Sequence, residues 1–255
     1  MQSQIRKHFD HSTSTYRANA TIQARVAENC AGRIPEINYP LVLELGAGGG
    51  LLTEYCLKKI APLKHYFTLD LSLEMLKLTA QDKVFAVQGD GENPPFREQS
   101  FDLLVSSSAM QWYSCGADSI LANISLLKDE GYFSLAFFVR GTFDEMSHIS
   151  SLTGFASIYP LPEEYQCIKT LSQTGLNLET HIETYTVYFP DVASFLKSHK
   201  KTGATFTRKG SGFGKKKYAD FCKKYQEIYG GEKGIPVSYR VLYMWGQKLK
   251  IRLKP

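Results

Sequence analysis

The sequence has no long hydrophobic run, since no stretch reaches the roughly 18 consecutive apolar residues that span a membrane. Its first eight residues have no apolar centre, which argues against a secretory signal. Its five cysteines are odd in number, widely scattered and without a C-x-x-C pair, so a disulfide framework is not expected. We therefore expect a cytoplasmic protein with reduced thiols and no membrane partner.

Metal-binding patterns are also missing from the sequence. Neither the cysteines nor the six histidines cluster with metal-ligand spacing, and we expect no metal. What the chain does have is 255 residues with 43% hydrophobic content, which is enough to bury one substantial core. A single domain over residues 1–255, with an elaboration of its core, is the expected organisation.

The most informative segment is 41–53, which predicts a buried strand, a glycine turn and the start of a helix. Its first five residues are apolar on both faces apart from Glu44, as in a central parallel strand. Gly46, Gly48 and Gly50 then let the backbone turn sharply and let a ligand approach closely. The spacing differs from the G-x-G-x-x-G of dinucleotide-binding loops, because leucine follows the last glycine.

Two further acidic residues follow predicted strands. Asp70 ends the apolar stretch 65–69, and an acidic residue at the carboxyl end of a second strand can accept both ribose hydroxyls of an adenosine. Asp90 follows the short apolar run 84–87, within the segment G-D-G-E-N-P-P-F. A fourth strand is predicted over 100–106.

These four segments, in this order, resemble the class I S-adenosylmethionine-dependent methyltransferases. The glycine loop with its preceding acidic residue is similar to that family's motif I, and G-D-G-E-N-P-P-F is similar to its GDAExLPF loop, in which the Asp binds the adenine amino group. The resemblance implies S-adenosylmethionine as the cofactor. The cofactor-binding residues that it implies are Glu44, Gly46, Ala47, Gly48, Gly50, Asp70, Leu71, Asp90, Gly91, Glu92, Ser107 and Gln111.

Strand and helix signals alternate to about residue 139, which indicates parallel β-α-β units. The later predicted elements are helices over 120–127 and 162–174, a turn at 129–131, and strands over 132–139, 178–189 and 237–245. With the resemblance, they imply an α/β fold: a Rossmann-like, seven-stranded methyltransferase sheet whose last strand is antiparallel.

Two segments lie outside this alternation. The N-terminal segment predicts an amphipathic helical cover, with Ile22, Val26 and Cys30 on one face. A long connection precedes the last strand, and connections of that length are usually functional. The expected division is a helical cover over 1–40, a core over 41–189 and 236–255, and a helical lid insertion over 190–235.

The insertion also gathers positive charge. The net charge of the chain is +5, and lysines and arginines concentrate between 197 and 224, with almost no acid between Asp191 and Asp220. A charge run is usually a solvated face. A basic surface beside an active site would instead attract an acidic partner and speed encounter, and nucleic acid and an acidic carrier protein both meet that demand.

Five segments match a more specific pattern. Residues 9–23 are similar to an F-x-x-x-A-x-x-Y-x-x-x-A-x-x-Q opening, with threonine in place of the first alanine, and residues 106–113 are similar to S-N-L-A-x-Q-W. Residues 141–146, 197–204 and 235–239 are similar more loosely to G-S/T-x-x-E-L, L-K-x-x-G-A and P-L-T-Y. Together the segments resemble the malonyl-[acyl-carrier protein] O-methyltransferases of the biotin pathway.

This second resemblance implies transfer of a methyl group to the free carboxylate of a malonyl thioester, giving a methyl ester that primes pimeloyl synthesis. A carboxylate is ionised at pH 7 and needs no general base, so catalysis rests on alignment in a dry pocket. Arginine is the natural clamp for a carboxylate, and Arg140, at the end of the fifth strand, is the expected one. Tyr16 on the N-terminal cover and Tyr239 on the last strand are the other expected catalytic residues.

The expected partner is an acyl carrier protein that docks on the basic 197–224 region, because these carriers are small and acidic. RNA is less favoured, since lysines rather than arginines dominate that region. The alternatives are a methyltransferase acting on a quinone-type or other small acceptor, or on RNA, and a cofactor-binding module without catalysis. Whether coenzyme A carries the malonyl group in place of the carrier protein also stays open.

Overall fold

The computed structural model describes residues 2–60, 64–79, 82–155, 159–204 and 214–250. The strands are β1 (Leu41–Leu45), β2 (His65–Asp70), β3 (Val84–Gln88), β4 (Phe101–Ser107), β5 (Leu127–Phe138), β6 (Leu176–Phe189) and β7 (Ile235–Lys248). The helices are α1 (Gln2–Asp10), α2 (Thr13–Asn19), α3 (Thr21–Gly32), α4 (Leu51–Lys59), α5 (Leu73–Leu76), α6 (Ala117–Ile124), α7 (Asp144–Thr153), α8 (Glu164–Ser172), α9 (Val192–Lys201) and α10 (Lys215–Tyr229).

The seven strands form one sheet in the order β3-β2-β1-β4-β5-β7-β6. Strands β1 to β5 pair in parallel, whereas β7 runs antiparallel to both β5 and β6. This confirms the predicted methyltransferase sheet with an antiparallel last strand. The strand order reverses beside β1, because β2 lies on one side of it and β4 on the other, and ligands of open α/β sheets bind outside the carboxyl ends at such a point.

Alternation along the central strands divides the core between the two faces of the sheet. Val42 points to the face covered by α3 and α4, where it joins a cluster with Val26 and Cys56. Leu43 and Leu45 point to the other face, which α6 and α8 cover. Both faces of β1 are therefore buried, and the glycine turn that follows is held from both sides.

The N-terminal cover consists of three helices, and the apolar face predicted for it is confirmed in α3, where Ile22, Val26 and Cys30 are buried. The predicted turn at 129–131 is wrong. The chain already enters β5 at Leu127, and the extra residues form a bulge against β4, with Glu130 in the left-handed region at φ 64°. A bulge places extra residues, here the polar residues 128–130, in one strand without ending that strand.

The insertion between β6 and β7 contains α9 and α10, separated by residues 205–213, which lie outside the described ranges. Arg208 and Lys209, which belong to the predicted basic region, fall in that gap. Helix α9 packs against α2 and β6, whereas α10 packs against α7 and β7. None of the described helices is long and apolar enough to cross a membrane.

Candidate active site

The turn after β1 can be built only from glycine at its key positions. Gly46, Gly48 and Gly50 have φ values of +69°, +50° and +79°, a region that side chains with a Cβ rarely adopt. A Cβ on Gly46 would also lie 2.1 Å from the Cβ of Ala109. The amide of Gly46 donates to the carbonyl oxygen of Leu69 at 2.7 Å, which fixes the loop on the end of β2.

Glu44 anchors this loop from below. One of its oxygens, Oε2, accepts hydrogen bonds from Thr53 Oγ1 of α4 and from the Tyr66 hydroxyl of β2, each at 2.7 Å. Burial raises the pKa of Glu44 to about 7, against the lowering effect of these two hydrogen bonds. The carboxyl group thus ties β1, β2 and α4 together at the base of the loop.

Asp70 connects the end of β2 to the same loop. Its Oδ2 accepts from the Gly48 amide and its Oδ1 from the Ser72 amide, both at 2.8 Å. Burial raises the pKa of this carboxyl, although the backbone donors oppose the shift. Each oxygen keeps a lone pair, so the carboxylate is held in one orientation and can still accept a hydrogen bond from a ligand.

The segment after β3 is held by two acidic side chains. Asp90 accepts from the Glu92 amide at 2.9 Å and, through Oδ2, from Gln2 Nε2 of α1 at 2.8 Å. Glu92 accepts from the amide and hydroxyl of Ser114, the amide of Cys115 and the hydroxyl of Ser119. Burial favours a raised pKa for Glu92, but these donors outweigh it and lower the pKa. Glu92 therefore fastens this segment to the start of α6.

These elements enclose a cavity of about 920 Å³, including its open mouth, which we call the glycine-loop cavity. The predicted cofactor residues that line it are Glu44, Gly46, Ala47, Gly48, Asp70, Leu71, Asp90, Gly91, Glu92 and Ser107. Gly50 and Gln111 do not line it. Gly50 instead caps α4, and Gln111 lines the neighbouring cavity.

That second cavity, the aromatic cavity, measures about 950 Å³ including its mouth. It shares five lining residues with the glycine-loop cavity, so the two are contiguous: Phe9, Tyr16, Gln23, Ser108 and Trp112. Its other walls come from the end of β5, the start of α7, α9, β7, and the segments around Gln111, before α8 and after α9. A ligand in one cavity therefore adjoins a ligand in the other.

Tyr16 and Tyr239 both reach this region. Tyr16 lies between the two cavities, and its hydroxyl is 3.8 Å from the position that a Cβ on Gly48 would occupy. Tyr239 faces the aromatic cavity from β7, with its ring 5.0 Å from that of Phe143. Burial raises the pKa of both phenols, so both remain protonated donors at neutral pH.

Arg140 does not reach either cavity. Its side chain is 74% exposed and forms an ion pair with Glu163. The strand end alone suggested a ligand-facing position, but Gly141 turns the chain with φ +94°, and the Arg140 amide is bonded to the Pro162 carbonyl oxygen. The structure therefore gives no support to Arg140 as the substrate clamp.

His199 lies in the aromatic cavity, although its sequence position did not indicate a site residue. It lines the aromatic cavity from α9, between the rings of Phe143 at 5.0 Å and Phe195 at 5.7 Å. Burial lowers its pKa to about 4. The available signal was helical spacing, because Val192, Phe195 and His199 fall on one face of α9.

Several buried polar atoms around the cavities have no hydrogen-bond partner among the described residues. They are Oγ of Ser107 and Ser108, Oε1 of Gln111 and Nε1 of Trp112. Leaving such atoms unpaired is costly, so their concentration beside two cavities indicates that ligands pair with them. Within the described ranges, no group of three or more His, Cys, Asp or Glu residues could hold a metal ion.

Known proteins match both the sequence and the fold. The family described as a methyltransferase domain matches residues 43–135. The malonyl-[acyl-carrier protein] O-methyltransferase of Geobacter sulfurreducens is 27% identical, covering 96% of this chain and 98% of the relative. Its counterpart from Priestia megaterium is 28% identical, covering 93% and 94%. A solved S-adenosylmethionine-dependent methyltransferase from Thermotoga maritima is 15% identical with a TM-score of 0.53, covering 95% and 99%.

The sheet order and these matches lead to one assignment. The cofactor is S-adenosylmethionine, and the glycine-loop cavity offers the open backbone and oriented carboxylates that such a ligand requires. Residues 43–135 match the methyltransferase domain family, and over almost its whole length the chain resembles the malonyl-[acyl-carrier protein] O-methyltransferases.

Proposed function

We propose that this chain transfers the methyl group of S-adenosylmethionine to the free carboxylate of a malonyl thioester on an acyl carrier protein, giving the ester that primes pimeloyl synthesis for biotin. The main support is that five separate sequence segments meet in the walls of the aromatic cavity. The five segments that resemble the malonyl-[acyl-carrier protein] O-methyltransferases lie far apart in the sequence, yet each contributes to the walls of this cavity. They supply Phe9, Tyr16, Gln23, Gln111, Trp112, Thr142, Ala204 and Tyr239.

In this proposal the glycine-loop cavity holds the cofactor, which when bound supplies a methyl group on a sulfonium. Asp70, already oriented by two backbone amides, accepts the ribose hydroxyls, and Asp90 accepts the adenine amino group. The unpaired hydroxyls of Ser107 and Ser108 are available to polar groups of the same ligand. The glycines allow the ligand to lie directly on the loop backbone.

The aromatic cavity suits a reaction in which charge disappears. A carboxylate and a sulfonium become a neutral ester and a neutral thioether, so exclusion of water favours the transition state over the separated ions. Phe9, Phe138 and Phe143 supply apolar wall on the acceptor side. Alignment of the carboxylate oxygen with the methyl carbon is then the main contribution of the protein.

Because Arg140 points away from the aromatic cavity, three other hydrogen-bond donors hold the substrate carboxylate in this proposal. Tyr16 and Tyr239 keep their protons at neutral pH, and Trp112 Nε1 is buried without a partner among the described residues. A carboxylate that accepts two or three such hydrogen bonds is positioned without a fixed cation.

The carrier protein docks, in this proposal, on the basic 197–224 region. The described lysines of this region lie on α9 (Lys197, Lys200 and Lys201) and α10 (Lys215, Lys216, Lys217, Lys223 and Lys224). Lys223 and Lys224 pair with carboxylates of their own helix, whereas the other six have no ion-pair partner among the described residues. Helix α9 also supplies Leu196 and His199 to the aromatic cavity. A carrier protein bound to α9 would therefore hold its malonyl group close to that cavity.

The test is a methyl-transfer assay with labelled S-adenosylmethionine. The acceptors are malonyl-carrier protein, malonyl-coenzyme A, acetyl-carrier protein and bulk tRNA. We expect label on the malonyl thioesters alone, released as methanol by mild base, as an ester requires. Label on tRNA, or no label despite measurable cofactor binding, would contradict the proposal and favour respectively an RNA acceptor or a different small-molecule acceptor.

A further inference from the structure

We propose that His199 strengthens recognition of the acyl carboxylate in the aromatic cavity, a specificity role that rests on the proposed function. In the L-K-x-x-G-A pattern that residues 197–204 resemble, the stretch 199–204 reads H-K-K-T-G-A, so histidine stands where the pattern has leucine. The substitution places an ionisable ring in a wall that the pattern leaves apolar. The ionisable side chain at position 199 is therefore a feature of this chain and not of the pattern.

Among the described residues that line the aromatic cavity, His199 is the one whose side chain can become cationic. The described lining residues include no Lys, Arg, Asp or Glu. The other ionisable side chains facing the cavity are Tyr16 from α2, Tyr159 from the segment before α8, and Tyr239 from β7. A carboxylate that leaves water for such surroundings is strongly disfavoured unless a group of opposite charge or several donors compensate.

The ring of His199 is held in place and is free to bind. It lies nearly parallel to Phe195, at an interplanar angle of 29°, and edge-on to Phe143, at 83°. Neither ring nitrogen has a hydrogen-bond partner among the described residues, whereas Thr202 Oγ1 and the Thr202 amide both donate to the His199 backbone carbonyl. The imidazole is thus fixed by packing with its polar atoms uncommitted.

Entry of a carboxylate would change the protonation of His199. Burial lowers the pKa of His199 to about 4, so the imidazole is neutral at pH 7 before the acceptor binds. A carboxylate beside the ring favours the charged form and raises that pKa. Tyr16 and Tyr239, whose pKa values are raised, stay neutral throughout. Binding of the acceptor is therefore coupled to uptake of a proton by His199.

This coupling also helps release of the product. During transfer a carboxylate oxygen bonds to the methyl carbon, and the carbon–sulfur bond breaks with its electron pair remaining on sulfur. The acyl group then has no charge, so the imidazolium loses its counter-ion and returns its proton to water. An arginine in the same position would keep its charge after transfer and would then be buried without a partner, whereas the imidazolium can lose its proton.

The experiment is a comparison of ligand binding by wild-type protein and the His199→Leu variant, which restores the residue of the pattern. Calorimetry with saturating S-adenosylhomocysteine measures the affinities for malonyl-coenzyme A and acetyl-coenzyme A. We expect the variant to lose roughly 10- to 100-fold in malonyl-coenzyme A affinity, as for a hydrogen bond to a charged group, with acetyl-coenzyme A nearly unaffected. His181→Gln, at a half-exposed histidine on β6 outside both cavities, is the matched control.

A second measurement tests the ionisation itself. Titration of malonyl-coenzyme A in two buffers with different ionisation enthalpies should show net proton uptake by the wild type and by His181→Gln, but not by His199→Leu. Equal uptake and equal malonyl preference in all three proteins, with methyl transfer intact, would overturn the role of His199 alone. A wild type that neither prefers malonyl-coenzyme A nor methylates any malonyl thioester would overturn the proposed function, and the His199 role with it.

Discussion

Glu44 is a buried carboxyl whose pKa is higher in the folded chain than in the unfolded chain. Burial raises its pKa to about 7, so the folded chain retains a proton that the unfolded chain releases near pH 4.5. Between these values the folded state binds more protons, and the contribution of Glu44 to stability is lost as the pH rises through 7. The residue that supports the cofactor loop therefore costs stability under alkaline conditions.

The Glu44→Gln variant should consequently gain stability relative to the wild type as the pH rises. We expect the difference in unfolding free energy to change by on the order of 3 kcal/mol between about pH 4.5 and pH 8. Urea denaturation of both proteins at several pH values measures it. His199 has the opposite slope because its pKa is lowered, but both proteins share it, so it cancels. Glu74→Gln, at a half-exposed carboxylate of α5, controls for the substitution, and a pH-independent difference for Glu44→Gln would contradict the prediction.

At the residue scale, the sequence located the acidic residues of the glycine-loop cavity because each lies at or just beyond the carboxyl end of a strand. Glu44, Asp70 and Asp90 all line it. Arg140 also follows a strand end, but the turn at Gly141 and the neighbouring Glu163 decide where its side chain goes. A sequence shows where a strand ends, whereas the direction of the next side chain depends on contacts made far along the chain.

At the scale of elements, the N-terminal cover is fastened to the cofactor loop by few contacts. Arg17 of α2 donates through Nε to the Gly49 carbonyl oxygen at 2.9 Å and pairs through Nη1 with Glu54 at 2.6 Å. Gln2 of α1 reaches Asp90. These contacts are made by long side chains, and only Arg17 reaches the loop itself, whereas β2 holds the loop through the Gly46 and Ala47 amides, which donate to the Leu69 carbonyl oxygen.

Removal of the Arg17 contacts should loosen the cover over the cofactor. We expect Arg17→Gln to speed dissociation of S-adenosylhomocysteine by roughly three- to tenfold, because one hydrogen bond and a half-exposed ion pair are worth about 1 kcal/mol together. Stopped-flow displacement measures the rate. Arg25→Gln on α3, where the guanidinium stacks on Tyr185, is the control. Equal rates for the two variants would show that α2 does not retain the cofactor.

The strands were predictable because their apolar runs are short and bounded by turn residues, and β1 begins and ends where the sequence predicts. The start of β5 was not, since its first residues are polar and belong to the strand only through pairing with β4. The insertion was predicted as helical, but its division into α9 on the cavity and α10 on α7 follows from packing that no local pattern contains.

At the scale of the whole molecule, the docking of an acidic carrier should depend on charge. Reversal of Lys215, Lys216 and Lys217 to Glu should reduce kcat/KM for malonyl-carrier protein at least about tenfold at low salt, and the loss should shrink as salt screens the surface. Malonyl-pantetheine, which has the thioester but no protein, should be used almost normally.

The control for this prediction is an equal charge change elsewhere. Reversal of Lys58, Lys77 and Lys169, which are exposed on other parts of the surface, alters the net charge identically. If both triple variants lose the same activity with the carrier protein, long-range charge rather than a docking surface is responsible. If neither loses activity, the basic region does not bind the carrier.

The two cavities differ in how far a sequence determines them. The glycine-loop cavity is built mainly from segments that each follow one strand, so local patterns nearly specify it. The aromatic cavity combines segments from residue 9 to residue 239. Those segments could be matched to a pattern one at a time, but their meeting around one space appears only in the folded chain.

The pairing of Phe189 with Ile235 in the β6–β7 hairpin brings the two ends of the insertion to adjacent strands, about 5 Å apart. The insertion thus leaves and re-enters the sheet almost at one point, and none of its described residues lines the glycine-loop cavity. We therefore expect that exchange of the insertion for the equivalent stretch of a related enzyme would alter the aromatic cavity, which Leu196 and His199 line, more than the cavity that holds the methyl donor.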